Sequence, residues 1–143
     1  MPILQGAVSL ARFRVAEAAA LADDPTRSLP AAFRAGAFSP LDRDTGEEER
    51  SAGWVELEDA EATGFAPAAI FRGEDACVSW RVDQVRVPPA LVKSRLAEWR
   101  AAFEGRRGRR PSKREIAAEK ERVLRKLRKQ AFVQTKTHDV RWR

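Results

Sequence analysis

Six cationic side chains fall within nine residues of this chain: Arg106, Arg107, Arg109, Arg110, Lys113 and Arg114. Five of them are arginines, whose planar guanidinium can hold a phosphate through two parallel hydrogen bonds. Lys120, Arg125, Lys126, Arg128 and Lys129 continue the series. Such a set neutralises a polyanion; it neither makes nor breaks bonds. The placement of Lys113 and Arg114 strengthens that reading. They stand in the first turn of a helical pattern opened by Ser112, where the positive end of the helix dipole makes a cation unfavourable. Selection for helix stability alone would have put acids there. A solvated loop kept soluble by its charge is the plain alternative, and it explains neither that placement nor the excess of arginine over lysine at the tip.

If all six reach phosphates, the expected salt slope is about −5, and affinity falls on the order of a thousandfold between about 50 and 200 mM salt. Reading a base sequence would take side chains such as Asn or Gln on a groove-facing helix, and the helix from 113 to 129 offers almost none. The contact is therefore expected to be largely independent of sequence. Trp54, Trp80, Trp99 and Trp142 could stack on bases, but each sits on an apolar parity or stripe and is expected in the core, which favours duplex over single-strand binding. His138 beside Asp139 is half a catalytic dyad with no Ser or Cys nucleophile motif to go with it. Glu47, Glu48 and Glu49 are read as solvated acids and not as a metal site, and no glycine-rich phosphate loop is present. No enzyme active site, cofactor or metal centre is expected.

Two helical patterns joined at 106–111 must hold the cations, and together they form an expected basic helical hairpin over 88–130. The first opens at Pro88-Pro89, repeats apolar residues at Val92, Leu96, Trp99 and Phe103, and is expected to stop at Gly105. The second opens with a capping box, Ser112 with Glu115, and is expected to turn Ile116, Val123, Leu124 and Leu127 to the core, with its cations along one flank. Upstream, Gln5 to Val15 alternates as a strand, and Ala16 to Ala22 has helical propensity without a period. Leu29 and Phe33 suggest a short helix ended by Gly36, with Pro30 in its first turn. Leu41 to Ser51 is expected as a mobile exposed acidic loop. Gly53 to Leu57 reads as a short strand, followed by another short segment near Phe65. Ala76 to Val87 reads as a longer strand, with a slip between Val82 and Val85 that marks a bulge or its end. A last strand alternates through Val140 and Trp142. This order predicts an α+β fold with an antiparallel or mixed sheet.

The length, 143 residues at 43% apolar composition, suits a single domain. No apolar run approaches the roughly 20 residues of a membrane span, and a lone Cys77 makes no internal disulfide. A cytoplasmic protein without a membrane partner is expected. Its charge is lopsided: residues 1–80 carry 7 Lys/Arg against 14 Asp/Glu, and residues 81–143 carry 20 against 7. A field of that kind attracts nucleic acid, or else an acidic protein partner.

The order Ala37-Phe38-Ser39-Pro40, Gly53-Trp54-Val55, Val87-Pro88-Pro89-Ala90-Leu91-Val92, a basic helical pair and a strand through Val140-Arg141-Trp142 resembles the N-terminal half of the recombination-associated protein RdgC family. Glu56 and Leu57 stand where members carry a proline pair, and the acidic loop before Gly53 is a departure. Members also continue into a second half, so the resemblance implies a chain truncated at its C-terminus. It further implies a nucleoid-associated protein that binds double-stranded DNA without sequence preference, forms a ring-like homodimer and limits recombinase-driven strand exchange, with possible recombinase contact. The basic hairpin is the part that matches a DNA-facing role.

Overall fold

The computed structural model describes residues 11–13 and 24–143. The strand expected over Gln5 to Val15 and the helix-prone run Ala16 to Ala22 lie outside the described residues, except for residues 11–13, which form neither helix nor strand. In chain order the elements are α1 (Pro25–Ala35), β1 (Arg50–Glu56), α2 (Pro67–Ile70), β2 (Phe71–Arg72), β3 (Asp75–Val85), α3 (Pro89–Arg107), α4 (Lys113–Gln130) and β4 (Val133–Trp142). The class is α+β, and the four strands pair antiparallel.

β3 is the strand the others join. β4 runs along one side from Ala76↔Trp142 to Val85↔Val133, while β1 and β2 share the other. Both registers are unbroken, so the slip after Val82 marks the strand's end and no bulge. The buried parity nevertheless changes along β3, from Ala76 and Val78 to Ser79, Arg81, Asp83 and Val85. The cause is that the two faces are covered at different places. Leu29 and Phe33 of α1, with Phe65 and Ile70, cover Ala76 and Val78. On the opposite face, the centre of the Phe38 ring lies 4.3 Å from the Arg81 guanidinium carbon, and the Arg81 Nη1 donates to the Ala60 carbonyl at 2.9 Å. Arg81 and Asp83, on the polar parity by sequence, are therefore interior.

Arg81 binds Asp83 at 2.9 and 3.0 Å and also reaches Glu61. Thr135 donates to the same Asp83 carboxylate at 2.8 Å. Burial pushes the Asp83 carboxyl up, but the hydrogen bonds from Arg81 and Thr135 outweigh it and hold it below the usual range. A charged pair inside a small core is tolerable because each partner's hydrogen bonds are met.

Asp24 caps α1 by accepting from the Thr26 N–H at 3.0 Å, and Pro25 opens it. Pro30 is thus in the helix interior and not in the first turn, leaving the Thr26 carbonyl without its i+4 donor. Burial of Leu29, Pro30 and Phe33 offsets that loss. Phe33 packs against Trp54 and Phe65, with ring centres 5.3 and 5.8 Å apart. Gly53 admits residues 36–38 alongside β1: a Cβ there would stand 2.5 Å from the Phe38 backbone. The expected short segment near Phe65 is neither helix nor strand. The Phe65 N–H donates to the Glu56 carboxylate at 2.8 Å, its ring is fully buried, and α2 follows.

α3 and α4 are inserted between β3 and β4, whose adjacent ends, Val85 and Val133, pair with each other. The helices therefore leave the end of the sheet and do not lie across its face. That corrects the expected core stripes: Val92 alone is buried in α3, and α4 has no buried residue. Leu96, Trp99, Phe103, Ile116, Val123, Leu124 and Leu127 are all half-buried. The tryptophans also stop short of full burial, although Trp54 and Trp142 pack on the core and Trp54 stacks edge-on with Trp80 at 4.8 Å.

Candidate nucleic-acid interface

α3 runs through Gly105 and closes on Gly108, which adopts the left-handed conformation with φ 64°. Arg106 and Arg107 thus occupy the last turn of α3, where the negative end of the helix dipole favours them, and not the connecting loop. The Arg106 Nε donates to the Ala102 carbonyl at 3.2 Å.

α4 opens as expected. The Ser112 hydroxyl accepts from the Glu115 N–H, and the Glu115 carboxylate accepts from the Ser112 N–H at 2.8 Å. The same carboxylate receives both terminal nitrogens of Arg109, at 2.8 and 3.0 Å, while the Arg109 guanidinium lies 5.0 Å from the Phe103 ring centre. Arg109 is therefore a strut of the turn between the helices, tying the end of α3 to the start of α4. Its hydrogen bonds, followed by those from Ser112, hold Glu115 down at about 2. Lys113 and Arg114 stand exposed in the first turn of α4, against the dipole, with no ion pair among the described residues.

The acidic loop between residues 41 and 50, expected as mobile and exposed, makes contacts with α4. Arg128 meets Glu49 and donates toward the Gly46 and Glu47 carbonyls at 3.5 and 3.4 Å, and Arg125 lies 3.8 Å from Glu47. Gly46 is buried at φ 68°, where a Cβ would stand 2.4 Å from the Arg125 carbonyl oxygen. Asp42 stiffens the loop by accepting from the Asp44 N–H at 2.9 Å and from Thr45, bonds that hold its carboxyl below the ordinary value. Arg43 crosses to the end of α4 and donates to the Lys129 and Ala131 carbonyls at 2.9 and 2.6 Å. The pattern of Asp42 to Gly46 signals a turn, but nothing in it signals its docking partner.

The expected site residues thus divide. Arg109, Arg125 and Arg128 have carboxylate partners within the chain. Arg106, Arg107, Arg110, Lys113, Arg114, Lys120, Lys126 and Lys129 are exposed and make no ion pair among the described residues. A single cationic flank does not form on α4. At roughly 3.6 residues per turn, Arg114, Arg125 and Lys129 share one side, Lys120 falls within the Ile116–Leu124 apolar row, and Lys126 is elsewhere. Lys126 lines a groove of about 510 Å3 between α3 and α4, with Trp99, Val123 and Leu127 as its apolar lining and the Arg122–Glu119 pair beside it at 2.8 Å.

Among the described residues no His, Cys, Asp or Glu cluster is placed to hold a metal, and no helix is long and apolar enough to cross a membrane. No family model and no curated protein matches the chain.

Proposed function

We propose that this protein binds double-stranded DNA without sequence preference and meets phosphates at the turn between α3 and α4. The observation that carries the reading is the exposure of Lys113 and Arg114 at a helix start that disfavours them, next to Arg106, Arg107 and Arg110, all without carboxylate partners among the described residues. Gln130 is the sole Asn or Gln in α3 and α4, so base readout has no obvious carrier. The RdgC-family resemblance extends the proposal to a non-enzymatic, nucleoid-associated homodimer that restrains strand exchange by a recombinase.

The test is Arg106→Ser with Arg107→Ser and Arg110→Ser, leaving the structural Arg109 in place. Affinity for unrelated duplexes should fall equally, and the salt slope should lose about 2–3. An unchanged affinity and slope would overturn the reading. A second reading, docking of an acidic protein segment, is favoured by the fit of Glu47 and Glu49 to Arg125 and Arg128 within the chain. Retention of a duplex at moderate salt in a gel-shift experiment separates the two.

A further inference from the structure

α3 carries a cationic row that the clustered turn overshadows. Lys93, Arg100 and Arg107 recur at intervals of seven, so they rise along one side of the helix, each a little under two turns above the last. All three are exposed, and none makes an ion pair among the described residues. The other α3 arginine below the turn, Arg95, faces the groove and is paired with Glu98 at 3.1 Å. The row's top member, Arg107, lies immediately before Gly108, so the row ends where the turn that carries Arg110 begins, with Lys113 and Arg114 following at the start of α4.

α4 offers the opposite arrangement. Its C-terminal half is where the acidic loop is seated, with Glu47 at Arg125 and Glu49 at Arg128. Phosphate arriving there would have to displace carboxylates already in place, along with the main-chain bonds and the tight Gly46 contact that position them. Nothing of that kind guards the α3 row. Glu104 stands beside it, four residues after Arg100 and three before Arg107, without closing an ion pair to either.

We infer that the phosphate track follows α3, through Lys93, Arg100 and Arg107 into the turn, and that Glu47 and Glu49 withhold Arg125 and Arg128 of α4 from it. This rests on the DNA-binding reading and names the surface that reading uses. The acidic loop thereby sets the footprint: it steers the polyanion to one helix of the pair.

The experiment compares the salt dependence of duplex binding for the full chain, for Lys93→Ser/Arg100→Ser and for Arg125→Ser, with circular dichroism confirming that each keeps its helices. Removing Lys93 and Arg100 should reduce the slope by about 2, while Arg125→Ser should leave it within about half a unit, since Glu47 already stands 3.8 Å from that guanidinium. Glu104→Gln should tighten binding, and Glu47→Gln/Glu49→Gln should steepen the slope by releasing Arg125 and Arg128. A slope unmoved by Lys93→Ser/Arg100→Ser, or lowered as much by Arg125→Ser, overturns the α3 track while leaving binding at the turn intact. Failure of the unaltered chain to hold a duplex overturns both.

Discussion

Arg43 caps a helix that begins 70 residues after it: its guanidinium donates to the Lys129 carbonyl at 2.9 Å and to the Ala131 carbonyl at 2.6 Å. The last carbonyls of a helix lack internal donors and carry the negative end of its dipole, so a cation there is doubly suited. α4 lacks the glycine that commonly closes a helix, since Ala131 follows Gln130 in an extended conformation. A side chain from the acidic loop does that work, and the loop is fixed to α4 in return.

Arg43→Met keeps the aliphatic stem and removes both donors. It is expected to destabilise the fold by about 1–2 kcal/mol, read as a lower urea midpoint, and to raise amide exchange over the last turn of α4. An unaltered midpoint with unaltered exchange would show that the bonds carry no weight.

Lys113→Glu with Arg114→Glu should stabilise the helix and impair binding together. Acids at the start of α4 complement its dipole, so each should add about 0.3–1 kcal/mol, seen as a higher Tm, while duplex affinity drops. A gain in Tm with affinity retained would remove the argument from their placement.

The turn between α3 and α4 should loosen in acid. The folded-state value of Glu115, about 2, lies below its ordinary 4.5, so its stabilising effect is complete above about 4.5 and disappears as the pH falls toward about 2. Helicity followed by circular dichroism should decline through that window in the unaltered chain, and Glu115→Gln should start lower and show less of this decline. Identical acid profiles for the two would rule out the carboxylate as the cause.

The buried pair beneath Phe38 should be costly to break. Arg81→Met leaves Asp83 charged and interior, with Thr135 as its remaining donor among the described residues, and should lower stability by about 3–5 kcal/mol by urea titration. Arg81→Met with Asp83→Leu should recover much of that loss. A single variant as stable as the parent would place the pair at the surface in solution.

The parts legible in the sequence are those that local rules govern. Ser112 and Glu115 announce the start of α4, Pro88 and Pro89 that of α3, and the alternation through Val78 and Trp80 announces β3. The errors arise where distant segments decide. Pro30 is interior because Pro25, five residues earlier, is the better opening residue once Asp24 caps it. Arg81 and Asp83 lie between the apolar members of β3, and it is Phe38 and the Ala60 connection, distant in sequence, that cover them. The cations between 106 and 129 are identifiable as a group, but which of them are free is not: Glu115 claims Arg109 from six residues away, and Glu49 claims Arg128 across most of the chain.

The insertion of α3 and α4 between β3 and β4 bears on how the chain assembles. Pairing those strands requires closing a long excursion, and the entropy of that closure slows topologies built on distant contacts. Here the excursion is two helices made of local contacts, and because they fold back on each other Val85 and Val133 meet. The cationic turn thus sits at the fold-back point of that excursion, where the Arg109–Glu115 pair offsets part of the repulsion among its cations.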